Sequence, residues 1–291
     1  MIKSLVTYEK GRYGTLAVVR SEWNKKIEQD ILRKGCTEIE FNYAKGWKRG
    51  EGKFPSLEAF PYLLGLSITD WNIEDINSIH VLKKLRSLGI STYCKTPIRF
   101  ENFPDLEECG LEWRKKSDSL FECTNLKNLF INKYPYDDLT PMRLLTRLEI
   151  LRIYNSRLKS LEGIEHHKNI RRLELANLRG LTSLEGIEHL SKLENLEIHT
   201  CRKITHINQL TKLENLREVF INNCNDIESL NPLRNLKKLE KVLFYESTNI
   251  VDGDLSPVLE REPPLDIAFM KRKHYSHQRK SPESNIFIRN K

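Results

Sequence analysis

The 291-residue sequence predicts an α/β solenoid: about eleven similar coils, each giving one strand to a parallel concave sheet and returning by a short turn or 3-10 segment on the convex side. Three observations lead there. The heptapeptide SLEGIEH stands at residues 160–166 and again at 183–189, which sets a repeat of 23 residues. Around the second copy, Leu181, Leu184, Ile187, Leu190, Leu193 and Leu196 recur with a strict period of three, where an amphipathic helix would run at 3.6. The period then shortens to two at Leu196 and Ile198, the mark of a short strand with one buried face.

The paired strand positions can be followed along the chain. They are Leu66/Ile68, Leu88/Ile90, Cys109/Leu111, Leu129/Ile131, Leu151/Ile153, Leu173/Leu175, Leu196/Ile198, Val219/Ile221 and Val242/Phe244, spaced by 22, 21, 20, 22, 22, 23, 23 and 23 residues. Ile39/Phe41 and Ile267/Phe269 read as irregular first and last strands. A single coil of this size cannot bury its own leucines, so each uses its neighbours as the other half of the core. The exposed ends then need covers. Residues 21–34 place Trp23, Ile27 and Ile31 on one helical face, with Ser21 as the N-cap and Gly35 as the stop, which predicts a capping helix at the N-terminal end. The division expected is a cap over 1–35, the solenoid over 36–270, and a basic tail over 271–291 that either covers the last coil or trails free.

One strand and one return segment every 20 to 29 residues is the signature of the leucine-rich repeat. Residues 36–270 resemble that family, and within it the bacterial internalin-like and phosphatase-regulator-like class with units of about 22 residues. The resemblance implies a horseshoe-shaped scaffold and is almost silent on activity, since one fold hosts many functions. The family's asparagine, three residues beyond the second strand position, is replaced here by Trp71, Tyr93, Arg114, Tyr134, Ser156 and Leu178. Cys201 and Cys224 stand there in later coils and are read as buried small residues serving the turn.

Composition narrows the function classes. The net charge is +8, but residues 271–291 hold seven Lys/Arg against one Glu, so the rest of the chain carries 41 cationic against 39 acidic side chains. A nearly neutral body lacks the broad positive face of a nucleic-acid binder. The six cysteines form no C-x-x-C pair and suit no zinc site; reduced thiols in a cytoplasmic protein are expected. No apolar run is long enough to span a membrane or to form the core of a secretory signal. No phosphate loop, dinucleotide fingerprint, nucleophile elbow or H-E-x-x-H occurs, so neither catalysis nor a cofactor is expected.

Side chains between and beside the two buried strand positions face the concave surface. The first strands show mainly Ser, Gly and Thr there; Gly65, Gly89 and Gly110 leave a hollow that Trp71, Tyr93 and Trp113, or the protein's own loops, could fill. From Phe130 onward the surface becomes bulky, with Ile150, Tyr154, Phe220, Leu243 and Tyr245. Such patches mark interaction sites. Glu174 and Glu197 occupy equivalent positions in adjacent coils, with Arg152, Arg172 and His199 close by. This cluster reads as a charged hot spot for a partner, as a solvated salt-bridge ladder, or as a metal or acid–base centre around Glu174, Glu197 and His199. The leading expectation is a non-catalytic scaffold that grips another protein, of an immunity or regulatory kind if it follows similar solitary bacterial proteins. The alternative is association of the basic tail with nucleic acid or an anionic surface.

Overall fold

A computed structural model describes residues 4–50, 54–279 and 287–289. The chain forms two compact units, residues 1–131 and 132–291.

The first unit opens with a hairpin. β1 (Val6–Lys10) pairs antiparallel with β2 (Thr15–Val19), and α1 (Lys25–Arg33) follows. β3 (Glu38–Asn42), β4 (Gly65–Thr69), β5 (Ser87–Ser91), β6 (Glu108–Glu112) and β7 (Asn128–Asn132) then succeed one another in sheet order. From β2 to β6 the pairing is parallel, and Ile39, Leu66, Leu88 and Cys109 stand in one register.

The sequence places a cap at 21–34, and the structure differs in two ways. The helix starts later, with Asn24 as N-cap, its Oδ1 accepting from the Ile27 N–H at 3.1 Å; Ser21 instead donates to the backbone carbonyls of Leu5 and Glu22. The helix also links two parallel neighbours, β2 and β3, so it is the return segment of a first coil, while β1 forms the sheet edge. Ile27 and Ile31 are buried as expected, and Trp23 leans on Phe41 and Phe60.

In the second unit, β8 (Ile150–Tyr154), β9 (Arg172–Ala176), β10 (Asn195–His199) and β11 (Glu218–Asn222) are parallel neighbours. A two-residue β12 (Asp226–Ile227) precedes β13 (Lys241–Tyr245) and pairs with β14 (Asn249–Ile250). β13 continues the series to β15 (Asp266–Phe269), after the short helix α2 (Ser256–Leu259). β16 (His277–Arg279) and β17 (Phe287–Arg289) close as an antiparallel pair. All eleven expected strands are present, and the N-terminal hairpin adds two more.

The leucine periods follow from this geometry. Leu151, Leu173, Leu196, Val219 and Val242 are aligned across β8–β13 and almost wholly buried, each worth about 1.5–3 kcal/mol against exposure. The period-three leucines surround short 3-10 turns such as Ile164–His166, Ile187–His189 and Asn208–Lys212, whose side chains repeat every third residue.

The repeated heptapeptide is a turn in which most letters have a structural task. Leu161, Ile164, Leu184 and Ile187 are core residues. Gly163 and Gly186 take φ of 95° and 100°, a conformation costly for any residue with a Cβ. Their N–H groups donate to Glu165 Oε2 at 2.9 Å and Glu188 Oε2 at 2.8 Å. Ser160 and Ser183 accept from the N–H groups of Glu162 and Glu185.

A second regularity lies where each strand ends. Lys133, Asn155, Asn177, Thr200, Asn223 and Glu246, each the first residue after its strand, have φ between 52° and 61°. Asparagine tolerates this region better than most residues, and it links the turns laterally: Asn177 Nδ2 donates to Asn155 Oδ1 at 2.6 Å, and Asn155 Nδ2 to Asn132 Oδ1 at 2.7 Å. Cys201 and Cys224 are buried beneath these turns. Cys201 Sγ donates to the carbonyls of Leu175 and His199, and Cys224 Sγ to those of Ile198 and Asn222.

Within the basic segment Tyr275 and His277 are buried, while Lys271, Lys273 and His274 are exposed. Tyr275 is buried against Phe244 and Phe269, and its hydroxyl accepts from the Ile250 N–H at 3.0 Å. Residues 280–286 and 290–291 of that segment lie outside the described residues. Among the described residues, no helix is long and apolar enough to cross a membrane.

Candidate functional site

The loop between β1 and β2 reaches over the small residues of the first unit: the Tyr13 N–H donates to Glu38 Oε1 at 2.6 Å, Arg12 pairs with Glu108, and the Arg86 guanidinium lies 4.7 Å from the centre of the Tyr13 ring. A Cβ on Gly65 would come within 2.9 Å of Glu38 Cγ, so glycine here makes room for the protein's own side chains. Trp71 meets Tyr93 at 4.8 Å, and Trp113 stacks on Phe121 at 5.4 Å. Phe130 is half-buried against Gly110, whose Cβ would lie 3.7 Å from its ring.

The other ten candidates are on the second unit, in three register-matched columns. Arg152, Glu174, Glu197, Phe220 and Leu243 form the middle column. Tyr154, Ala176, His199, Asn222 and Tyr245 run beside it towards the strand ends, and Ile150, Arg172, Asn195, Glu218 and Lys241 run on the other side. Period-two alternation fixes this: the neighbours of each buried pair must point the opposite way. All but Glu174 are half-exposed, so the aromatics are not turned into the core.

Glu174 is the exception, with 8% exposure. A buried carboxylate needs charge and hydrogen-bond partners, and three residues supply them. Arg152 Nε is 3.2 Å from Oε1, the Tyr154 hydroxyl donates to Oε2 at 2.8 Å, and Arg172 Nη1 stands 3.9 Å from Oε1. Ala176, at the register position beside Tyr154, has only a methyl group. Burial and then this carboxylate push the Tyr154 hydroxyl up to about 12, so it stays a proton donor at neutral pH. Glu174 therefore fixes Arg152 and Tyr154 in place.

Glu197 is held differently. His199 Nε2 is 3.3 Å from its Oε2, and the other imidazole nitrogen faces Asn222 Nδ2 at 3.3 Å. The two contacts hold the ring between Glu197 and Asn222. Beyond it the column turns apolar at Phe220 and Leu243. Asn195, which donates to Glu218, and Asn222 belong to this surface although neither is large, charged or aromatic. Their place in the columns is the signal that marks them. Among the described residues, no three His, Cys, Asp or Glu side chains gather as a metal site would require.

Comparisons with known proteins bear on this architecture. Residues 155–224 match a family model described as R13L1/DRL21 LRRs, about a quarter of the chain. The chain has the leucine-rich repeat fold. No curated protein matches this sequence. Among solved structures, this repeat protein is similar to an internalin, InlF, from Listeria monocytogenes, at 20% identity and a TM-score of 0.57, over 74% of this chain and 70% of that one. Internalin C2 from the same organism is 23% identical with a TM-score of 0.53, over 64% and 83% of the two chains. The functional domain of Listeria InlJ is 15% identical with a TM-score of 0.59, over 83% of this chain and 49% of that one. At these identities the likeness is one of fold.

Proposed function

We propose that this chain is a non-catalytic scaffold that grips another protein on the concave face of its second unit. A single observation carries the reading: a row of side chains across β8–β13, half-exposed except for the buried Glu174, passes from charge to apolar surface, with its polar members already held in position. Orientation in advance removes part of the entropy cost of binding. Arg152, Tyr154 and Arg172 form one end around Glu174. Glu197 and His199 offer an acceptor in the middle, and Phe220, Leu243 and Tyr245, with Ile150 nearby, offer apolar and aromatic area of the kind that dominates interface energetics. The fitting partner presents a hydrogen-bond donor or cation over Glu197 next to an apolar side chain over Phe220 and Leu243. An immunity or regulatory role is the biological setting we propose for such binding.

The test is capture of a partner with the intact chain as bait, in parallel with two variants. Phe220→Ala with Tyr245→Ala should abolish capture while the chain still melts cooperatively. Lys271→Gln with Lys273→Gln, at two exposed positions of the basic segment, should leave it unchanged. The opposite pattern would transfer binding to the basic segment, and that binding should then weaken steeply with salt.

A further inference from the structure

Beside the strand ends of β9 and β10 lies a hollow of about 510 Å³, lined by Asn177, Arg179, Thr200, Arg202 and Lys203. Three of its five residues are cations, and all three are exposed. The arrangement follows from the repeat. Arg157, Arg179 and Arg202 are each the third residue after their strand, so they form a ladder with a step of about 4.8 Å, the spacing of neighbouring strands.

The ladder is neutralised at one end only. Asp137, the fifth residue after β7, stands 3.6 Å from Arg157 and 2.8 Å from Lys159. The corresponding residue in the next coil is Lys159, and in the one after it Leu181. Arg179 and Arg202 therefore lack the carboxylate that Arg157 has, and among the described residues no acidic group forms an ion pair with either of them or with Lys203. Neutral oxygens hold them instead. Arg179 Nε donates to Asn177 Oδ1 and Arg202 Nη2 to Asn223 Oδ1, both at 3.5 Å, the long end of the range. Asp226, the Lys203 equivalent one coil on, accepts from Asn249 Nδ2 at 2.9 Å.

Two more features shape the hollow. The position that is Lys203 in one coil is Gly180 in the coil before, and a Cβ there would come within 2.8 Å of the Leu158 carbonyl oxygen; the coil surface is consequently flush at this point. Thr200 replaces the asparagine of the neighbouring left-handed turns. Its hydroxyl oxygen accepts from Asn223 Nδ2 at 3.3 Å, which leaves its own proton as a further donor.

We infer that this hollow is a receptor for a phosphate-type dianion, either free or carried as a phosphomonoester. Guanidinium groups bind such oxyanions through paired, charge-assisted N–H donors. Two of them, one coil apart, can share a tetrahedral anion, with Lys203 and the Thr200 hydroxyl completing the donor set. A single carboxylate would leave most of this charge uncompensated. The inference involves none of the residues proposed for the concave site and stands independently of it.

The test is titration calorimetry on the full chain with three probes: inorganic phosphate, a short phosphoserine peptide, and the same peptide unphosphorylated. Saturable binding of a phosphate probe is expected, with the phosphopeptide ahead of its plain twin by at least ten-fold. Arg179→Gln and Arg202→Gln should each weaken binding by roughly ten-fold, and Lys203→Gln by less. Binding of both phosphate probes identifies the free anion as a sufficient ligand; binding of the phosphopeptide alone identifies the carried group. The inference is overturned if neither phosphate probe saturates, if the double arginine variant binds as the parent does, or if chloride at matched ionic strength competes as well as phosphate.

Discussion

The two copies of SLEGIEH contain one glycine each, with nearly the same φ, yet substitution should not cost the same. A Cβ at Gly163 would lie 2.7 Å from Leu139 C and from Thr140 N, both backbone atoms of the preceding coil. At Gly186 it would lie 2.7 Å from Ile164 Cγ2, a side-chain methyl, and the nearest backbone atom is 3.7 Å away. Gly35 supplies the baseline, with φ of 61° and nothing within 4 Å. Alanine at Gly35 carries only the left-handed penalty, about 1 kcal/mol. Alanine at Gly186 adds displacement of one methyl group, for a total of about 2 kcal/mol. Alanine at Gly163 must move a neighbouring backbone and should cost about 3–4 kcal/mol. Urea denaturation followed by circular dichroism would rank the three variants by midpoint, which stays meaningful even if the repeat array does not unfold in a single step. Equal midpoints for Gly163→Ala and Gly186→Ala would refute the reasoning, because the local sequence is the same and only the neighbour differs.

Further predictions concern core, titration and thiols. Leu196→Ala removes a fully buried side chain from the middle of the ladder and should cost about 2–5 kcal/mol in the same denaturation assay. Burial holds His80 and His167 below the ordinary imidazole value; His80 Nε2 accepts from the Arg99 N–H at 3.0 Å, and protonation would destroy that acceptor. The unfolded chain therefore takes up these protons first: stability is full above about pH 6.5, declines by up to about 1.4 kcal/mol per pH unit per histidine below it, and levels off past the folded-state values. Thermal melts from pH 8 to pH 5 should show this decline, and His167→Gln should make it shallower. Burial also pushes Cys201 up to about 12 and Cys224 up to about 11, so neither should react with an aromatic disulfide reagent at pH 8 until urea unfolds the second unit.

The repeat was readable because leucine spacing itself records which way each side chain points. Period two set the register-matched columns of β8–β13, and period three located the tight 3-10 turns. The hairpin escaped because Val6–Lys10 and Thr15–Val19 lie outside the repeat; Gly11 and Gly14, which bracket the turn, were the available clue. The helix start was displaced from Ser21 to Asn24 because both are good caps, and the choice rests on which one precedes the buried Ile27. The burial of Glu174 was not legible, since it depends on Arg152, Tyr154 and the small Ala176 meeting across two strands. The left-handed turns were written in Asn155, Asn177 and Asn223, a column outside both leucine periods.

That column has a consequence for how such a chain can change length. Because coil after coil leaves its strand through a residue in the same left-handed conformation, the chain exits each coil in the direction by which it entered. Duplicating or deleting one whole segment between such residues, say from Asn177 to Asn223 in steps of a single coil, would rejoin matching surfaces. Gene-level slippage could therefore lengthen or shorten the row of strands without inventing a new joint.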